Sequence, residues 1–191
     1  MSKHLKSKLT KSLSIYNSDK FLVGRLHNEI LHHLIEGYRK SQILSEMVKF
    51  ISCLNYFYST RVQAAEGRMN DNLVKVAKLI HSNWNKGLNL EKIKEGDIID
   101  IHLVDKLRKK IYSLLGRNLF SLATKIFHQL NSQYPIYDSK IKIFLKSEMK
   151  VGRVNLFKSY PLFYQHYTAS MEKIEWDSKK VDQFDSAIWV L

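Results

Sequence analysis

Asp138 closes the phrase Tyr-Pro-Ile-Tyr-Asp, residues 134–138, at the point where one helical pattern hands over to another. A carboxylate there has two uses. Its oxygen can accept the free N–H groups of the following first turn. If it also faces a ligand, it can stabilise positive charge that develops in a transition state. The preceding helical stretch carries Ser121 and Lys125, four residues apart and so on one face. Lys125 reads as an imine-forming nucleophile, a phosphate contact or an ordinary exposed helix lysine. A nucleophilic role needs a pKa lowered by burial or neighbouring charge, and its neighbours Ala123, Thr124, Ile126 and Phe127 allow partial burial. Gly116, Arg117 and Asn118 precede that helix, and an arginine beside a helix N-terminus is a ready anion site. The plain alternative is a helix–helix turn with Asn118 left-handed. Lys140 and Lys142 add basic residues after Asp138.

Taken together, LLGRN, SLATK and YPIYDSKIKIFL resemble the catalytic core of the helix-hairpin-helix DNA glycosylases, the 8-oxoguanine and adenine glycosylases among them. The resemblance implies that Asp138 takes the place of the catalytic aspartate and that the hairpin at Gly116–Asn118 holds a DNA phosphate. It places Ser121 where lyase-active members carry their Schiff-base lysine and monofunctional members can carry serine. Lys125 lies one turn further on, so the resemblance favours base removal without strand cleavage. Upstream, NYFYSTRVQ resembles the family's segment on the base-binding side, with Thr60 and Val62 the close matches. Tyr58, Ser59, Thr60 and Arg61 are the implied base pocket or wedge. The chain departs from the family in a hairpin with one glycine and no proline. It carries no four-cysteine cluster, so no iron–sulfur cluster and no other cofactor is implied. The likeness is strongest over residues 116–145 and leaves residues 1–40 unexplained.

Charge points the same way. Thirty-one Lys and Arg against eighteen Asp and Glu give the 191 residues a net charge of +13 and a pI near 9.7. Such a surplus suits a polyanion, because cationic side chains release counterions on meeting phosphates. An acidic protein partner or a membrane surface are the alternatives. The basic residues are spread along the chain, which favours a folded basic face for duplex DNA. With 45% hydrophobic and 12% aromatic residues the chain is a folded domain rather than a disordered one. No apolar run approaches a membrane span, and the basic N-terminus lacks the apolar core of a secretory signal. The lone Cys53 reads as a buried thiol. The expectation is a cytoplasmic protein, nucleoid-associated if bacterial. His27, His32 and His33 around Glu29 lack the i, i+4 spacing of a zinc site, so no metal is expected.

Few glycines, two prolines and 3.6-residue periodicity predict an all-α fold. Residues 1–18, with Leu5, Leu9 and Leu13 in step, read as a basic arm or short helix. Residues 19–191 read as a single helical domain, the hairpin and catalytic turn at 107–150. Leu22, Leu26, Ile30, Leu31 and Leu34 predict the inner face of a helix ending near Gly37. Ser41 opens a helix apolar nearly all round, the natural buried centre. Helices at 119–130 and 139–150 flank the turn. Asp177 and Ser178 cap a last helix with Val181, Phe184, Ile188 and Trp189 inward. The aromatics Tyr56–Tyr58 and Tyr160, Phe163, Tyr164 and Tyr167 are either core or base-stacking groups, core being the commoner use. The resulting expectation is a compact multi-helix domain with a helix-hairpin-helix element and two helical subdomains around a cleft, the central one spanning roughly 41–115. Function follows as base excision: a monomeric DNA glycosylase that flips and removes a damaged, mispaired or modified base. The rival readings are a non-catalytic helical DNA-binding protein and a helical interaction protein for an acidic partner.

Overall fold

Helix after helix is built on i, i+3, i+4 apolar spacing, and the computed structural model turns that spacing into an all-α fold. It describes residues 2–58, 60, 62, 71–151 and 158–191. The described residues form nine α-helices and no strand: α1 (Ser2–Tyr16), α2 (Leu22–Ser41), α3 (Leu44–Tyr58), α4 (Asp71–Ser82), α5 (Ile101–Leu115), α6 (Phe120–Leu130), α7 (Ser139–Ser147), α8 (Tyr160–Lys173) and α9 (Val181–Val190). No described helix is long and apolar enough to cross a membrane. Helices α2 to α5 pack each on the next, and α6 lies against both α2 and α5. Helix α1 runs along α9, which also receives α7, while α8 packs on α5 and α7.

The most buried helix is α6, not α3. Nine of its eleven residues are buried, Thr124, Lys125 and Gln129 included. Helix α3 buries Met47, Phe50, Ile51, Leu54 and Asn55 and leaves Tyr56 82% exposed. Periodicity misplaces the inner face of α2. Leu22, Leu26 and Ile30 are exposed, whereas Leu31, Ile35 and Tyr38 are buried, and the first half of the helix turns His27 and Asn28, not its apolar stripe, to Phe57 and Tyr58 of α3. The same packing carries α2 past Gly37 to Ser41, which closes this helix rather than opening the next. Gln42 then takes a left-handed φ of 49° and gives its N–H to the Tyr38 carbonyl at 2.7 Å. Helix α9 starts at Val181, later than expected, and Lys180 is its N-cap without a side-chain bond. Asp177 instead accepts from the Lys179 N–H at 3.0 Å, closing the turn before the helix.

Gly116 ends α5 with φ +66° and donates to the Tyr112 carbonyl at 2.7 Å. A left-handed C-cap is where glycine costs least. Gly116, rather than Asn118, therefore supplies the left-handed residue of the hairpin. Helix α7 ends at Ser147, three residues short of the expected Lys150. Tyr160, Phe163 and Tyr167 are fully buried, and with Phe120, Tyr134 and Tyr137 they form one aromatic core. Tyr160, Phe163 and Tyr167 are core groups.

Candidate active site

A turn between two helices exposes backbone groups that must find partners. In residues 134–138 those partners come from across the fold. The Tyr134 N–H donates to the Asn131 carbonyl at 3.1 Å, and the Tyr134 carbonyl lies 2.9 Å from His128 Nδ1. Tyr160 donates its hydroxyl to the Pro135 carbonyl at 3.2 Å. The Ile136 N–H donates to Asp185 Oδ2 at 2.9 Å and the Tyr137 N–H to Thr124 Oγ1 at 3.0 Å. The turn that presents Asp138 is therefore clamped from several sides, which fixes the direction of the carboxylate.

Asp138 is the N-cap of α7. Its Oδ1 accepts the Ile141 N–H at 2.9 Å, and its Oδ2 accepts the indole N–H of Trp189 at 2.7 Å. At 8% exposure it is nearly enclosed, yet it lines a cleft of about 780 Å³. Trp189 does not face the core, as its spacing suggests. It is 40% exposed and turned to this cleft, because Asp138 offers its indole a charged acceptor that the core lacks.

Lys125 opens onto the same cleft from the buried face of α6. Its ammonium sits 4.6 Å from the centre of the Tyr58 ring and 3.5 Å from the Tyr58 carbonyl. Burial brings its pKa down to about 8, a fall that the Asp138 charge partly opposes. An amine of that kind is protonated for the most part at neutral pH but holds a usable neutral fraction. Tyr58 is itself shielded, and burial pushes its phenol well above the usual value. Its hydroxyl donates to Asn28 Oδ1, whose amide in turn donates to the Tyr16 hydroxyl at 3.3 Å.

The cleft brings together Tyr58, Thr60, Arg117, Asn118, Ser121, Lys125, Asp138, Lys140 and Lys142. Thr60 is buried, with its hydroxyl on Asn55 Oδ1 at 2.8 Å, so it shapes the wall rather than the opening. Gly116 is not in the wall; it sets the direction of the hairpin. Ser59 and Arg61 lie outside the described residues. Compared with protein families, characterised proteins and solved structures, the chain matches none. The chemistry therefore rests on the geometry.

Sequence reasoning misses a second, smaller chamber of about 360 Å³. Its walls come from α2 and α3 on one side and from α6 and α9 on the other, and Tyr58 and Trp189 line both spaces. In it the His27 ring stacks on Phe57, centroids 3.9 Å apart and planes 7° apart. His128 bonds the turn from within the chamber wall, and burial lowers its pKa. No local signal could have found the chamber, since its lining is drawn from segments spread between residues 16 and 189. Among the described residues no group of three or more His, Cys, Asp or Glu is placed to hold a metal ion.

Proposed function

We propose that the protein is a DNA glycosylase that binds duplex DNA at the cleft and breaks one N-glycosidic bond beside Asp138. The observation that carries this reading is the pairing of a clamped carboxylate with a buried lysine in one basic-rimmed cleft. As the base departs, positive charge grows on the sugar C1′ and ring oxygen. A fixed carboxylate stabilises that charge more than it stabilises the neutral substrate, which is what lowers the barrier. Water then adds to C1′ and gives up a proton, the base leaves with the electrons of the broken bond, and an abasic site remains. Arg117, Lys140 and Lys142 on the rim suit phosphates on either side of the target. The net charge of +13 supports duplex binding over the whole face.

Lys125 provides a second route. Its neutral amine can attack C1′ in place of water and expel the base; the nitrogen then loses its proton and the C1′–O4′ bond opens, O4′ leaving as a hydroxyl, to give an imine that borohydride reduces to a stable protein–DNA link. Ser121 lies at the cleft but brings no base with it, so it is a wall residue in this scheme.

The test is incubation with duplexes carrying damaged, mispaired and modified bases, followed by alkali to reveal abasic sites and borohydride to trap an imine. Alkali-sensitive sites are expected, and any trapped complex vanishes in Lys125→Met. Trapping rises about tenfold between pH 7 and pH 9, as an amine of pKa about 8 loses its proton. Salt-sensitive binding without cleavage of any base would instead make the protein a binding module.

A further inference from the structure

Residues 106–147 carry nine Lys and Arg and one carboxylate, Asp138. Much of the positive surplus is thus concentrated in the segment that builds the cleft, and part of it lies outside the cleft, on the outer face of α5. Asp105, the carboxylate just before this segment, is turned inward. It accepts from Arg108 Nε at 3.0 Å and from the Tyr160 N–H at 3.1 Å. Arg108 also donates Nη2 to the Lys158 carbonyl at 3.1 Å and lies 5.3 Å over the Phe120 ring, so its guanidinium belongs to the wall. What is exposed between Lys109 and Leu114 is Lys109, Lys110, Tyr112, Ser113 and Leu114, with no acid among them.

Two open grooves follow this face. The first, about 460 Å³, is lined by Arg108, Lys109, Tyr112, Ser113 and Asn118, and Asn118 also lines the cleft. The second, about 420 Å³, sets Leu79 of α4 against Lys109, Lys110, Ser113 and Leu114. Carboxylates mark where the basic face stops. Asp97 and Asp100 share a groove with Lys106 near the start of α5, and Asp71 opens α4 about two turns before Leu79.

A duplex turns its phosphates outward and keeps its bases stacked, so lysines alone would serve it. This face carries more than lysines: Tyr112 is 56% exposed and Leu114 41%. An unpaired strand matches both kinds of group, because it offers phosphates to the ammonium groups and a free base face to an aromatic ring. We propose that the outer face of α5 holds a single-stranded stretch of DNA beside the cleft, with Tyr112 stacked on an unpaired base and Lys109 and Lys110 on its phosphates. The inference rests on the reading of the cleft as a DNA site and narrows its substrate to a duplex with an unpaired flank, as at a gap or an overhang.

The test is fluorescence anisotropy of the intact protein with unmodified probes: a blunt duplex and the same duplex carrying an oligothymidine overhang at either end. One of the two overhangs is expected to tighten binding about tenfold. Tyr112→Ala should abolish that gain and Tyr112→Phe should keep it, since phenylalanine retains the ring. Tyr112 is exposed, so both variants should melt with the wild type. Lys109→Gln combined with Lys110→Gln should lower the slope of log affinity against log salt by about 1.4 on the overhang probe and leave the blunt duplex unchanged. No gain from either overhang, a gain that survives Tyr112→Ala, or no binding of any probe overturns the proposal. These probes hold no target base, so the two readings fail separately. An overhang gain with no base released from any duplex leaves the α5 face standing and removes the glycosylase. Base release from blunt duplexes with no overhang gain does the reverse.

Discussion

Asp138 and Asp185 are both nearly enclosed and both accept two hydrogen bonds, one from a backbone N–H and one from an aromatic side chain. They differ in what lies behind the donors. Asp138 has a basic cleft before it and Lys125 as a neighbour. Asp185 has the buried phenols of Tyr167 and Tyr160 around it, and burial pushes its pKa far above the usual carboxylate range. Equal hydrogen-bond counts thus give opposite characters. One carboxylate faces a basic cleft, as the proposed chemistry requires; the other locks the turn to α9, and burial favours its protonated form. The site is made by the environment of the residue, not by its type.

The comparison breaks most sharply at the cleft. Asp138→Asn keeps the cap, since asparagine caps about as well as aspartate, yet base release should fall by about a thousandfold as the fixed charge is lost. Single-turnover kinetics at unchanged melting temperature would show it; a large loss of stability would make Asp138 a structural cap. At the other carboxylate the effect should fall on stability. Asp185→Ala leaves the Ile136 N–H and the Tyr167 hydroxyl without a partner and should cost about 2–5 kcal/mol in denaturant unfolding.

Asp185→Asn sharpens the contrast through pH. The native carboxyl has a raised pKa, so it keeps a proton that the unfolded chain gives up above about pH 4. Its contribution is complete below that pH and is lost as pH rises toward the native value. The wild-type protein should therefore lose stability relative to Asp185→Asn between pH 4 and pH 7. A pair of unfolding curves that run parallel over that range would contradict the assignment. The smallest effect belongs to Trp189, which lines both the cleft and the chamber. Trp189→Phe removes one charge-assisted hydrogen bond from Asp138, and base release should drop about tenfold with DNA affinity unchanged.

Much of this is legible in the amino-acid sequence. The YPIYD turn, the cap at Asp138, the helix carrying Lys125 and the hairpin at Gly116 follow from short-range signals, and each resides within a few residues of its cause. The neighbours of Lys125 alone allow it partial burial, and it is 3% exposed. What is not legible depends on packing between distant segments. Trp189 shares its helix face with core residues, so periodicity turns it inward, and only the placement of α9 against α7 gives its indole to Asp138. The apolar stripe Leu22, Leu26 and Ile30 looks like a buried face, but that half of α2 meets α3 through His27 and Asn28, and spacing does not report which face a partner helix takes. Tyr160, Phe163 and Tyr167 could serve a base or the core on spacing alone, and the packing of α8 decides for the core.

The central claim is that Asp138 acts on a glycosidic bond while Asp185 only holds the fold. It is tested most directly by mass-spectrometric detection of free base released under single-turnover conditions from a panel of modified duplexes. Wild-type protein, Asp138→Asn and Asp185→Asn would be compared at matched DNA occupancy. The account predicts free base from wild type and Asp185→Asn and almost none from Asp138→Asn. Release that survives in Asp138→Asn, or the absence of free base from every duplex with all three proteins bound, would contradict it.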